Sequence, residues 1–187
     1  LAKNRMYCNY AFYFGATADN AKELSDLKNL EGCCGIKLFA GSSTGNLLVA
    51  DEKDIETVFK NSSKIVAVHS EDEEILNKNK KLIKEGDVHT HPIWRSVECA
   101  MSSTRRIVRI AEKYNKKAHV LHITTKEEID FLSQHKGNIT FEITPQHLTI
   151  YAPDCYDKLG TYAQMNPPIR DKSHYDRLWY AVKNNLN

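Results

Sequence analysis

Short runs of apolar, β-branched or aromatic residues alternate along this chain with stretches whose apolar residues recur at helical spacing. That alternation narrows the folds open to it more than any other feature. The candidate strands are Tyr10 to Phe14, Gly35 to Phe39, Lys64 to His69, Ala118 to His122 and Ile139 to Ile143. Several are apolar on consecutive residues, as strands covered on both faces are. Between them, Ala21, Leu24 and Leu27 mark a helix after Asp19, and Ile55, Val58 and Phe59 mark one that Asp51 can cap. The longest helical pattern runs from Val97 through Met101 and Ile107 to Ala111. Ile129 and Leu132 follow Thr124 and Thr125, and Tyr175, Leu178, Trp179 and Val182 form the last periodic face. Repeated strand-then-helix predicts an α/β protein with a parallel sheet. Five strands suit either an open doubly wound sheet or a partial (β/α)8 barrel, whose full form has about 250 residues. Periodicity does not separate these two; residues at the strand ends can.

At 187 residues the chain can build one sizeable core. No Pro-rich linker, repeat or low-complexity tract divides it, so residues 1–187 are expected to form a single domain. A formal charge of +2 with Lys and Arg scattered among Asp and Glu gives no nucleic-acid footprint. The basic run from Lys78 to Lys84 follows an acidic one at Glu71 to Glu74 and reads as a solvated helix face. No apolar stretch approaches the ~18 residues of a membrane span. No secretion signal is visible. The five cysteines include the adjacent pair Cys33 and Cys34 but no CxxC spacing, so buried free thiols in a reducing cytosol are expected. The chain starts on Leu1 and stops on a helical pattern at Asn187, and it reads as cut at both ends. The loops GATADN and AGSSTGN match neither GxGxxG nor a Walker sequence.

Three candidate strands carry an ionisable residue towards their carboxyl ends: Lys37 in GIKLF, His69 in IVAVHSED and His122 in HVLHITT. In parallel α/β folds those ends form the active-site face. Taken singly, a lysine there can reach solvent from an edge strand, and a histidine can be a satisfied structural residue. Together they suggest a metal centre, because neutral imidazoles are good zinc ligands. A lysine amine that has added carbon dioxide becomes an anionic oxygen ligand able to bridge two metals. Hydrolysis of an unactivated amide calls for such a pair, to polarise the carbonyl and to supply a nucleophile at neutral pH.

The strings GIKLFAGSSTGNLLV, AVHSEDE, HPIWRS, HVLHITT, FEITPQHL and QMNPPIR occur in that order from Gly35 to Arg170. In this they resemble the dihydroorotases of the amidohydrolase superfamily, of the type that uses a carboxylated lysine. The resemblance covers nearly the whole chain and implies a partial (β/α)8 barrel, strands three to seven with their helices, the first two strands and the last being absent. It implies that Lys37 is the carboxylated lysine bridging two zinc ions, that His69 and His122 bind one of them, and that Asn166 contacts the substrate ring. The loop from Gly41 to Asn46, with Ser43 and Thr44, would lie near the substrate. Glu142 matches a position that binds an extra metal in some relatives, but the accompanying cysteine is Leu121 here, so that site is not carried over. Gln146 replaces the first histidine of the usual PHHL. An HxH pair with an arginine is expected upstream of Leu1. The aspartate that acts as general acid and base is expected beyond Asn187, which leaves no catalytic residue of that kind in this fragment. His89 and His91 imitate an HxH ligand pair but follow no apolar strand. His91 reads as part of a turn into a helix, and His119, His135, His147 and His174 as structural or exposed.

The implied activity is reversible hydrolysis of dihydroorotate to N-carbamoyl-aspartate in pyrimidine synthesis. The expected setting is a cytoplasmic enzyme acting on a small molecule, possible as a homodimer, with no nucleic-acid or membrane partner. Allantoinase or dihydropyrimidinase shares the Lys and two-His layout, and an inactive scaffold that binds a partner enzyme is a further alternative. The 187-residue chain by itself is expected to be inactive.

Overall fold

A computed structural model describes residues 2–42 and 47–186. Five strands form one parallel sheet: β1 (Phe12–Gly15), β2 (Cys33–Phe39), β3 (Val66–His69), β4 (Ala118–Val120) and β5 (Ile139–Phe141). Seven α-helices lie among the connections: α1 (Glu52–Asn61), α2 (Glu73–Asn79), α3 (His91–Trp94), α4 (Val97–Lys113), α5 (Lys126–Leu132), α6 (Asp154–Leu159) and α7 (Lys172–Lys183). Each strand pairs with the next one in the chain, giving the order β1-β2-β3-β4-β5. Crossovers between parallel strands are right-handed, so a sheet that never reverses its order keeps every helix on one face. A doubly wound sheet does reverse. The monotonic order is that of a barrel segment.

Register divides the side chains into two sets. Ile36 and Leu38 pair with Val66 and Val68, which pair with Ala118 and Val120, and these pair with Ile139 and Phe141. This set faces the helices and forms the main core with Ile55, Val58, Phe59, Ile107, Ile110, Ile129 and Leu132. The alternate set runs across the other face as Lys37, Ala67, His119 and Thr140, with Phe39 and His69 one row nearer the carboxyl ends. That face, the inner wall of a barrel, carries the polar side chains.

The caps follow from composition. Asp51 accepts from the backbone N–H groups of Lys53 and Asp54 at the start of α1, and Ser96 accepts from Cys99 at the start of α4. Thr125 and Asp171 do the same for α5 and α7. Each supplies an acceptor to a donor that the helix cannot satisfy itself.

Several expectations are corrected. The helix marked by Ala21, Leu24 and Leu27 is a 3-10 helix, Ala21–Asn29. Its buried residues stand three apart, the spacing that aligns side chains on one face of a three-residue turn. The fourth strand ends at Val120, and His122 lies beyond it with a φ of 43°. Not all of the cysteines are buried: Cys99 and Cys155 are, Cys33 is partly covered, and Cys8 and Cys34 are exposed. The basic run continues α2 into a 3-10 turn, Lys80–Leu82, and is exposed as expected. Among the described residues no helix is long and apolar enough to cross a membrane.

Gly41 follows β2 so closely to the next strand's exit that a Cβ there would collide with the Glu71 carbonyl. Gly41→Ala is therefore expected to push the ends of β2 and β3 apart, at a cost of about 1–3 kcal/mol. Denaturant unfolding of the variant checks this; an unchanged midpoint would show that the two ends are not in such close contact.

Candidate functional site at the carboxyl ends of the strands

β3 ends on His69, which is 1% exposed, and β4 leads two residues later into His122. The left-handed turn at His122 brings its ring round to face that of His69. His69 Nδ1 lies 3.2 Å from His122 Nε2, and the ring centroids are 5.0 Å apart, edge to face. Burial holds His122 neutral: its pKa is lowered to about 3, chiefly by desolvation and then by the neighbouring charges of His69 and Lys37. Its Nδ1 is buried without a hydrogen-bond partner among the described residues.

Lys37 sits two residues before the end of β2, on the same face as Phe39, which pairs with His69. The amine lies 3.8 Å from the centroid of the Phe39 ring and donates to the Leu38 carbonyl at 3.1 Å. Phe39 in turn lies against His69, with 5.9 Å between ring centroids. Removal from water lowers the Lys37 pKa to about 8, partly offset by the Glu142 carboxylate. More of this amine is neutral near pH 7 than of an exposed lysine, the form that can act as a nucleophile. The rim thus brings together Lys37, His69 and His122 from three neighbouring strands. Among the described residues no group of three or more His, Cys, Asp and Glu is placed to hold a metal ion.

Asn166 lies in the segment Met165 to Arg170, which three side chains hold in place. His91 Nε2 donates to the Met165 carbonyl at 2.8 Å, and His147 Nε2 to that of Pro167 at 3.3 Å. Tyr156 donates its hydroxyl to the Ile169 carbonyl at 3.0 Å. His91 is therefore a clamp at the start of α3 rather than half of an HxH site. Of the other histidines, His147 and His174 are buried, and His119 and His135 pair with Glu142 and Glu112. Ser43 and Thr44 lie outside the described residues.

Two residues without an assigned role in the sequence reading also belong here. Glu71 is 0% exposed and Arg95 4% exposed. Glu71 Oε2 accepts from His69 Nε2 at 2.9 Å and pairs with Arg95 Nη1. The signal available in the sequence was slight: an acid two residues after a strand-end histidine, and an arginine closing HPIWR.

The barrel segment described above is a known one. The L-hydantoinase (dihydropyrimidinase) from Arthrobacter aurescens superposes with a TM-score of 0.90 at 22% identity, over 99% of this chain and 43% of that one. A dihydropyrimidinase from Brevibacillus agri superposes with a TM-score of 0.80 at 24% identity, over 95% of this chain and 41% of that one. The fold is thus that of a partial (β/α)8 barrel. In sequence the chain resembles dihydroorotases in particular. It is 28% identical to the dihydroorotase of Methanosarcina mazei, over 100% of this chain and 42% of that protein. It is also 28% identical to the dihydroorotase of Pyrococcus abyssi, over 98% of this chain and 39% of that protein. The chain therefore spans about two fifths of the length of these curated relatives. No family model matches it.

His147 predicts how the segment responds to acid. Its Nδ1 accepts from the Thr144 hydroxyl at 2.6 Å while Nε2 donates to Pro167, an arrangement that only the neutral ring allows. Burial lowers its pKa from 6.5 to about 4. As pH falls, the unfolded chain takes up this proton before the folded one does. The stabilisation is complete above about 6.5 and is lost towards 4, an interval worth about 3 kcal/mol. Unfolding free energy measured between pH 7 and 4 should fall less steeply in His147→Gln than in the wild type. Parallel slopes would contradict this.

Proposed function

We propose that the full-length protein is a zinc-dependent dihydroorotase, interconverting dihydroorotate and N-carbamoyl-aspartate in pyrimidine synthesis. The observation that carries the reading is the approach of His69 Nδ1 and His122 Nε2 to 3.2 Å, from positions 53 residues apart, in a chain similar to dihydroorotases over its whole length. Two nitrogens bound to one tetrahedral zinc, at 2.0–2.1 Å each, stand about 3.3 Å apart. The observed spacing fits that requirement, with His69 buried and His122 partly covered.

In this reading His69 and His122 would hold zinc, and Lys37, carboxylated on Nζ, would be a further ligand at the two-zinc site. Zinc bound there supplies Lewis-acid polarisation of the ring amide carbonyl and makes water acidic enough to serve as nucleophile near neutral pH. Carboxylation joins the neutral Lys37 amine to the carbon of carbon dioxide and releases one proton. Phe39 screens that amine from water on one side. Asn166, fixed by the clamps of His91 and His147 on its flanking carbonyls, contacts the substrate ring. Hydrolysis adds water across the ring C–N bond, leaving a carboxylate on carbon, one proton on nitrogen and one proton released to solvent. We assign the acid that protonates the nitrogen to a segment outside these 187 residues.

Residues 1–187 are proposed to be one domain, an incomplete barrel lacking its first two strands and its last. Among the described residues β1 and β5 each have one paired edge, and Phe12 and Tyr13 are exposed on β1. Among them, too, the cysteines are unpaired, which suits a reducing cytoplasm.

The full-length protein should turn over dihydroorotate with a higher kcat/KM than dihydrouracil or allantoin, lose activity on chelation and regain it with zinc. Lys37→Ala and His69→Asn should abolish turnover, and the 187-residue chain alone should show none. Preference for dihydrouracil or allantoin would assign the protein to another cyclic-amide hydrolase. A folded protein with neither zinc nor turnover would point to a non-catalytic scaffold.

A further inference from the structure

We propose that Glu71, held by Arg95, is a positioning residue that fixes the tautomer of His69 and couples this ring to the base of the loop after β2. The proposal rests on the metal-site reading of His69 but draws on different atoms. The ring of His69 has two nitrogens with different partners. Nε2 faces the Glu71 carboxylate at 2.9 Å, and Nδ1 faces His122. A carboxylate only accepts, so the ring proton resides on Nε2 and the lone pair is left on Nδ1. The nitrogen turned towards the shared site is thus the one able to bind a metal. A carboxylate behind a ligating imidazole also makes it a stronger donor.

Glu71 can serve in this way only because it is itself held. It is fully buried, and a lone buried carboxylate would be costly. Arg95 supplies the compensating charge through Nη1, while its Nη2 donates to the Ser42 carbonyl at 2.8 Å. Arg95 lies on the Trp94 ring, 4.5 Å from its centroid, and its own carbonyl accepts from Arg170 Nη1 at 2.9 Å. Ser42 is gripped a second time, its N–H donating to Glu73 Oε2 at 2.7 Å. One guanidinium therefore joins the ligand side of the site to the backbone that follows the lysine strand. An ion pair that merely stapled two loops together would not need a histidine on the same carboxylate oxygen.

The test compares wild-type, Glu71→Gln and Glu71→Asp full-length proteins. Long-range proton–nitrogen NMR of the metal-free proteins, with the His69 signals identified from His69→Asn, reports which ring nitrogen is protonated. Zinc affinity is measured by competition with a chromophoric chelator. The wild type should show a protonated Nε2. Glu71→Gln should lose that preference, because an amide can face Arg95 with its oxygen and the ring with its donor. Its zinc affinity should drop about 10–100-fold. If Glu71→Gln does not fold, Glu71→Asp carries the test: it keeps the charge beside Arg95, withdraws the carboxylate from the ring, and should bind zinc less tightly at similar thermal stability. A protonated Nδ1 in the wild type, or variants that lose only thermal stability while tautomer and zinc affinity stay unchanged, would overturn the proposal. Should the wild type bind no zinc, the metal reading fails, and the tautomer comparison still decides the role of Glu71.

Discussion

Everything at the rim depends on the sheet never reversing its order. With right-handed crossovers, that order puts one continuous layer of helices over Ile36, Leu38, Val66, Val68, Ala118 and Val120. The opposite face is then free to carry Lys37, His69, His119 and Glu142, which would be costly in the middle of a two-layer core. Strand pairing sets the depth of each. Phe39 and His69 share a row, Lys37 lies one row below, and the turn after β4 raises His122 to meet its partner.

Beneath that rim the molecule contains buried charge rather than hydrocarbon. Glu71, Arg95, Glu128 and Arg170 are all almost fully covered. Each has partners that account for its presence. Glu128 accepts from the hydroxyls of Thr104 and Thr125 at 2.8 Å each. Arg170 donates to Thr124 and to the Arg95 carbonyl. Such a layer is a weak source of net stability, since pairing only offsets desolvation. Its worth is geometric, because each satisfied group restricts where its neighbours can sit.

The β-α alternation was legible because consecutive apolar residues define strands buried by neighbouring layers, and all five were found to within two residues at each end. Lys37, His69 and His122 stood out because ionisable side chains interrupt otherwise apolar runs. The 3-10 helix at Ala21 was not separable from an α-helix, since three apolar residues fit a period of 3.0 about as well as 3.6. The helix α6 was missed because six residues give too little periodicity to count. Glu71 and Arg95 look like ordinary surface residues in one dimension. Only the packing of α3 against the exit of β3 puts them in contact, 24 residues apart, and a buried ion pair is a property of that contact.

Arg170 shows how the two halves of the site are made into one. It lies four residues beyond Asn166, in the segment that His91 and His147 clamp through their ring N–H groups. From there it reaches Thr124 after β4 and the carbonyl of Arg95 after α3. Arg95 passes the constraint on through Glu71 to His69, and through Ser42 to the end of the lysine strand. A displacement of the Asn166 segment would therefore disturb the support of a rim imidazole, because each link is a direct hydrogen bond or ion pair. Position is transmitted through directed hydrogen bonds between buried groups. Apolar packing alone, which tolerates small slips at little cost, would hold the same side chains less closely.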